Sequence, residues 1–289
     1  MTSEALSPIL ENLAESEERR GREATWRRGH LSELCRALAD LLLASGKADT
    51  PRELLSAAGD LLRELPPLPA ADRAELPALL LREAERLFGR AVLPSELVGG
   101  PVSPPGRARV VYVRNPLSDR AYTLLSAALG RPTVGYRQSF RELFDDVENG
   151  YADYAVLPLL SGGVTVASVA TLMEERGLYV TATCRIPAGE EEIVFGLLAR
   201  EAVVLRPPTG FLFRVETEGT EEMADLLAAL SHLGLSLRLT DSRESPLFRG
   251  RSAVRLLVEG DRERFFSLAV YLTLFFPGFT GYGYYSEIQ

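Results

Sequence analysis

The chain has 289 residues, 46% of them apolar and 25% charged, and a formal charge of −8. That length holds more than one core, the balance is that of a soluble globular protein, and the acidic excess opposes broad binding to nucleic-acid phosphates. No apolar run reaches the roughly 18 residues of a membrane span, and the acidic start MTSEALSPILENLAESEERR lacks the basic region and apolar core of an export signal. A cytoplasmic protein without membrane or nucleic-acid partners is expected. Cys35 and Cys184 lie far apart and read as buried thiols; with only His30 and His232 there is no zinc pattern, and neither metal nor cofactor is expected.

Residues 1–93 are rich in Leu, Ala, Glu and Arg and nearly free of β-branched residues, which predicts a helical domain. A first helix is expected from Ser7 to Ser45, with breaks allowed near Gly21 or Gly29 and Gly46 as its cap. The pairs Glu15/Arg19, Glu18/Arg22 and Glu23/Arg27 have the spacing of ion pairs on a helix surface. Thr50-Pro51-Arg52-Glu53 carries an N-cap, a first-turn proline and an acid, so a second helix starts there and ends before Pro66. A third, near Ala71 to Arg90, places Leu76, Leu79, Leu80, Glu83 and Leu87 on one face and tolerates Pro77 only in its first turn.

Residues 94–107 form a Pro/Gly-rich linker. Strand and helix then alternate through 108–204: RVVYV, a helix from Ser118 to Gly130, TVGY, the helix SFRELFDDVENG capped by Ser139, ADYAVLPL, the helix VASVATLMEERG, LYVTATCRI and EIVFGLLAR. Residues 209–289 repeat strand, helix, strand, strand, helix, strand, the βαββαβ order of a ferredoxin-like domain. The aromatic cluster FFPGFTGYGYY lacks interleaved Lys or Arg and reads as core and interface. Ser161-Gly162-Gly163 lacks the lysine of a phosphate cradle and reads as a tight turn.

Several of these stretches carry a resemblance. Ser139-Phe140, Phe144, Val147, Gly150, Ala152-Asp153-Tyr154 and Val156-Leu157-Pro158-Leu159 reproduce most of a motif of the bacterial prephenate dehydratases. Ser118-Asp119-Arg120-Ala121 is similar to that family's segment after its glycine loop, and Phe195 to Arg200 to the strand after its T-R-F motif. Gly234-Leu235-Ser236-Leu237 followed by Asp241-Ser242-Arg243-Glu244 resembles the same family's C-terminal ACT domain. The resemblance implies a single α/β lobe of the dehydratase, periplasmic-binding-protein-like fold, then an ACT domain, in a protein of phenylalanine metabolism. It implies a homodimer and a small aromatic or dicarboxylate ligand: an amino acid, prephenate or chorismate. Ser118, Ser161, Asp241, Ser242 and Arg243 become the expected ligand-binding residues.

The departures fall on the chemistry. Expelling water and carbon dioxide from prephenate needs an acid or hydroxyl and groups that hold carboxylates. Where the resemblance implies a carboxylate and amide the sequence reads Leu160-Ser161-Gly162, and where it implies T-R-F it reads Ile193-Val194-Phe195. Arg185-Ile186-Pro187 passes through Ala188-Gly189 to the return strand, leaving no room for the family's second lobe. In the ACT-like part Thr220-Glu221-Glu222-Met223 replaces a P-G-A-L segment. These replacements point to a non-catalytic, ligand-sensing or partner-binding homologue. The alternative is a chorismate mutase in the N-terminal helices, since many relatives carry one and Arg19, Arg36, Lys47, Arg52 and Glu53 have comparable positions. Against it, positions meant for that bundle's core fall on Arg22, Thr25 and Gly29, which suits a helical dimerisation domain instead.

Overall fold

In the computed structural model the described residues are 3–46, 48–64, 68, 70–92, 106–203, 205–245, 250–276 and 278–288, with the side chains of 3–20, 70, 71, 74, 239 and 240 excepted. Most of the expected linker and Lys47 therefore lie outside the described residues. The chain divides into two compact units, Met1–Val92 and Leu93–Gln289. No described helix is long and apolar enough to cross a membrane.

The described residues of the first unit form three helices, α1 (Ser3–Ala44), α2 (Pro51–Glu64) and α3 (Ala70–Phe88). Helix α1 passes unbroken through Gly21 and Gly29, since glycine in a helix costs only about 1 kcal/mol each, and Gly46 closes it at φ +65°. Its buried residues Leu31, Cys35, Leu38, Ala39 and Leu42 follow a helical stripe. They share the unit's buried core with Leu54, Leu55, Ala58 and Leu62 of α2 and Leu76, Leu79 and Leu80 of α3. Pro77 stands in the eighth position of α3, well past the first turn where it was expected, and the helix continues through it. Arg27 does not close on Glu23 as the spacing suggested; its Nε lies 3.0 Å from Asp72, and Arg28 lies 3.5 Å from Glu75, so these guanidiniums tie α1 to α3.

The second unit is built on one ten-stranded sheet ordered β2-β1-β3-β6-β5-β10-β7-β9-β8, with β4 paired to β3. Its strands are β1 (Arg109–Val113), β2 (Thr133–Arg137), β3 (Tyr154–Ser161), β4 (Val164–Thr165), β5 (Tyr179–Ala188), β6 (Glu191–Ala199), β7 (Gly210–Thr217), β8 (Ser236–Glu244), β9 (Ser252–Glu259) and β10 (Thr280–Ile288). Its described helices are α4 (Pro116–Ser126), α5 (Phe140–Glu148), α6 (Ala167–Arg176), α7 (Thr220–His232) and α8 (Arg262–Phe275). A short 3-10 turn at Ala127–Leu129 ends the helix expected to reach Gly130.

The sheet faces follow from strand alternation. Val110, Tyr112, Tyr154 and Val156 point to one face, where Ala121 and Leu125 of α4 pack. Val111, Ala155 and Leu157 point to the other, under Phe144 and Val147 of α5 and Val169 and Met173 of α6. In β7, Phe211 turns toward Phe265 of α8, whereas Leu212 turns toward α6. Strands β7 to β10 have the βαββαβ order in the arrangement β10-β7-β9-β8, the split-βαβ pattern.

The segments 108–204 and 209–289 share this sheet through a parallel pairing of β10 with β5, Ser286 with Ala182 and Ile288 with Cys184. Strand β10 reaches β5 by shifting register between Gly281 and Gly283. Gly283 sits at φ +118°, and a Cβ there would lie 2.5 Å from the Val180 carbonyl oxygen, so only glycine allows this approach.

Candidate functional site

In an open sheet with helices on both faces, ligands bind at the carboxyl ends of strands where the order reverses. Here that place lies between β1 and β3, because α4 leaves β1 over one face and α5 enters β3 from the other. The local sequence explains how each side is finished. Asn115 caps α4, its Oδ1 accepting from Leu117 N at 3.0 Å and Ser118 N at 2.9 Å. Its Nδ2 donates to Ser118 Oγ at 2.9 Å, so the expected ligand residue Ser118 is buried and bonded within the cap. Tyr112 donates to Asp119 at 2.7 Å, and burial raises its phenol well above the ordinary range. Arg114 lies over the ring of Tyr136, 5.0 Å from its centroid.

On the β3 side, Leu160 pairs with Val194 and Ser161 with Ile193, both across to β6. Gly162 and Gly163 follow at φ +57° and +78°, forming the expected tight turn into β4. Ser161 is exposed there. The rim is apolar at Leu160, Ile193 and Val194, a set of side chains that can neither protonate a leaving group nor hold a carboxylate.

Behind this rim, between α6 and the floor of the sheet, lies a cavity of about 40 Å³. Leu160, Thr165 and Val194 line it on the rim side, Val169, Ala170 and Met173 from α6, and Leu212, Leu257 and Tyr285 from the sheet. Arg255 of β9 also lines it, with a side chain only 5% exposed. Its Nη2 donates to Glu174 of α6 and, at 3.2 Å, to the Ala170 carbonyl. Its Nη1 lies 3.8 Å from Asp241, and its guanidinium lies 5.7 Å from the Tyr282 ring centroid. Arg243 closes the network, 3.6 Å from Glu174 and 3.4 Å from Asp241. Beside Arg255 in the sheet, Arg214 pairs with the buried Glu216 at 3.0 Å.

Of the expected ligand residues, Asp241 and Arg243 thus meet beneath α6. Arg243 does hold carboxylates, but those of Asp241 and Glu174. Ser242, one residue away in β8, belongs to the opposite face and is exposed. Arg255 and Glu174 were missed; a charge at an inward position of the apolar run SAVRLLVE is the signal that marks Arg255. The acids Glu221 and Glu222 occupy the first turn of α7, where a helix's positive end favours them.

In the first unit the expected cationic set is distributed differently. The side chain of Arg19 and all of Lys47 lie outside the described residues. Arg36 Nε is 3.7 Å from Glu83, which also accepts from Arg86 Nε at 2.6 Å; Arg86 then donates to Asp40 at 2.6 Å. Glu83 and, above all, burial push the neighbouring Cys35 thiol up to about 12. Glu53 accepts from Thr50 N at 3.0 Å while Thr50 Oγ1 accepts from Glu53 N at 3.2 Å, a reciprocal capping box that starts α2. Arg52 is exposed, and among the described residues no contact joins Arg36 to Arg52 or Glu53.

No protein-family model matches the sequence, and no curated relative does. Solved structures do match in fold. The chain is similar to prephenate dehydratase from Streptococcus mutans at 16% identity and a TM-score of 0.52, over 63% of this chain and 100% of that one. It is similar to prephenate dehydratase from Arthrobacter aurescens, solved in complex with L-Phe, at 11% identity and a TM-score of 0.53, over 62% of this chain and 90% of that one. GqqA, described as a novel type of quorum quenching acylase, aligns at 18% identity and a TM-score of 0.47 over 61% and 94%.

Proposed function

We propose, starting from a prephenate dehydratase-like fold, that the chain is a non-catalytic homologue acting in aromatic amino-acid metabolism as a ligand-sensing or partner-binding protein. One observation carries the reading: where the resemblance implies a carboxylate, an amide, a hydroxyl and a guanidinium, β3 and β6 carry Leu160, Gly162, Ile193 and Val194, with only the exposed Ser161 hydroxyl and the exposed Glu191 carboxylate beside Gly162 as polar groups. A second lobe would be inserted between β5 and β6, and these strands instead form a hairpin in which Ala188 pairs with Glu191. In this reading 108–204 is a reduced dehydratase lobe, 209–289 an ACT-like domain, and 1–93 a helical dimerisation domain. The L-Phe complex of the Arthrobacter protein makes an amino acid the first ligand to try.

Purified protein incubated with prephenate is expected to yield no phenylpyruvate, and turnover would overturn the non-catalytic reading. Calorimetry with phenylalanine, tyrosine, tryptophan and prephenate is expected to give heat with at least one; silence with all four, with no thermal shift, would remove ligand sensing. No observation favours the mutase alternative, because Glu53 is bonded within the cap of α2 and Arg36 faces Glu83. An assay with chorismate is expected to show no prephenate.

A further inference from the structure

The cavity beneath α6 has a chemical character of its own, independent of whether the chain ever acts on prephenate. Most of its wall is aliphatic, yet two buried polar atoms in it, Arg255 Nε and Thr165 Oγ1, make no hydrogen bond among the described residues. A buried donor left unmade is costly, so the cavity favours an occupant that presents an acceptor to it. Charge decides which acceptor. Arg255 and Arg243 are already matched by Glu174 and Asp241, two cations against two carboxylates. A third carboxylate brought into this low-dielectric space would face an already neutral cluster and lose its hydration. Its volume of about 40 Å³ admits a few atoms, a water needing roughly 10–15 Å³. The partly exposed Leu160, Thr165 and Val194 mark the side from which an occupant enters.

We propose that this cavity binds the uncharged end of a small molecule, an acceptor oxygen carried on a short apolar body, with Arg255 Nε–H and the Thr165 hydroxyl donating to the oxygen. Val169, Leu212 and Leu257 enclose the apolar part. Because Arg255 belongs to β9 and Ala170 and Glu174 to α6, the occupant touches both partners of the contact that joins α6 to this part of the sheet.

Propionamide and propionate, probes of one shape and different charge, and propylammonium, a slimmer cation, are titrated against the full chain with labelled methyl groups. Propionamide should shift the methyls of Leu160, Val169, Leu212 and Leu257 with a dissociation constant on the order of millimolar, at least about tenfold below that of propionate, with propylammonium silent. Thr165→Val should weaken propionamide by about five- to tenfold, the loss of one hydrogen bond, with methyl dispersion unchanged. Ala170→Leu should fill the cavity and abolish the shifts. Equal or tighter binding of propionate overturns the neutral site; silence of these methyls with all three probes means the cavity holds only water; shifts that survive Ala170→Leu place the probe elsewhere. Arg255 is left intact throughout, because its removal would strip Glu174 of its nearest partner.

Discussion

Two guanidinium–carboxylate clasps in the second unit use the same chemistry in opposite surroundings. Arg109 and Asp153 join the starts of β1 and β3 by a forked contact, Nη2 to Oδ1 at 2.8 Å and Nε to Oδ2 at 3.1 Å, with the arginine side chain half exposed. Arg255 and Glu174 join β9 to α6 with side chains 5% and 14% exposed. Water screens the first, so it fixes register more than it stabilises. The second is out of water, where neither charge tolerates the loss of the other. The difference shows that the family-like motif residue Asp153 serves alignment, whereas a pair outside every motif holds two layers together.

The sharpest way to break the comparison is Glu174→Ala, expected to cost about 3–5 kcal/mol in urea unfolding because it leaves the buried Arg255 charge with the more distant Asp241 as its remaining carboxylate among the described residues. The double change Glu174→Leu with Arg255→Met should recover most of that loss, and failure to recover would mean the pair is more than a balanced charge. Next comes Gly283→Ala, where a Cβ must displace the Val180 carbonyl; strain alone predicts about 1–3 kcal/mol, with faster amide exchange at Ser286 and Ile288. Ser139→Ala removes the cap whose Oγ accepts from Glu142 N at 3.3 Å and should cost about 1 kcal/mol. The smallest effect belongs to Asp153→Asn. The hydrogen bond from Arg109 holds the Asp153 carboxyl below its ordinary value of 3.8, so its contribution is complete above that pH and disappears as pH falls through the lowered value. The asparagine variant should therefore be slightly less stable at neutral pH and lose less on acidification.

Much of the fold is legible in local sequence. Ser139, Phe144, Val147 and Gly150 set a helix with its cap, core face and exit, and the structure uses each in that way. Thr50 and Glu53 mark the start of α2 as plainly. What escapes is decided by groups distant in sequence. Pro77 inside α3 contradicts a local rule that the surrounding leucine packing overrides. The pairing of Ser286 with Ala182 spans segments that each read as complete by themselves. At the candidate site the absence of chemistry at Leu160 and Val194 was readable, because it needed only residue identities. The Arg255–Glu174 contact was not, since no local pattern says which carboxylate a buried arginine meets.

The placement of β10 bears on how the second unit assembles. This strand lies in the middle of the sheet, between β5 and β7, although it follows both in the chain. The contacts that join the two halves of the sheet must wait for it, pairing Ser286 with Ala182 and Thr280 with Arg214, so they close long loops and the topology is of the slow-folding kind. Until β10 docks, β5 and β7 present bare edges able to pair with another chain. Refolding should therefore be sluggish and sensitive to protein concentration, with a shortage of late β10 docking showing itself as aggregation rather than as a stable half-sheet.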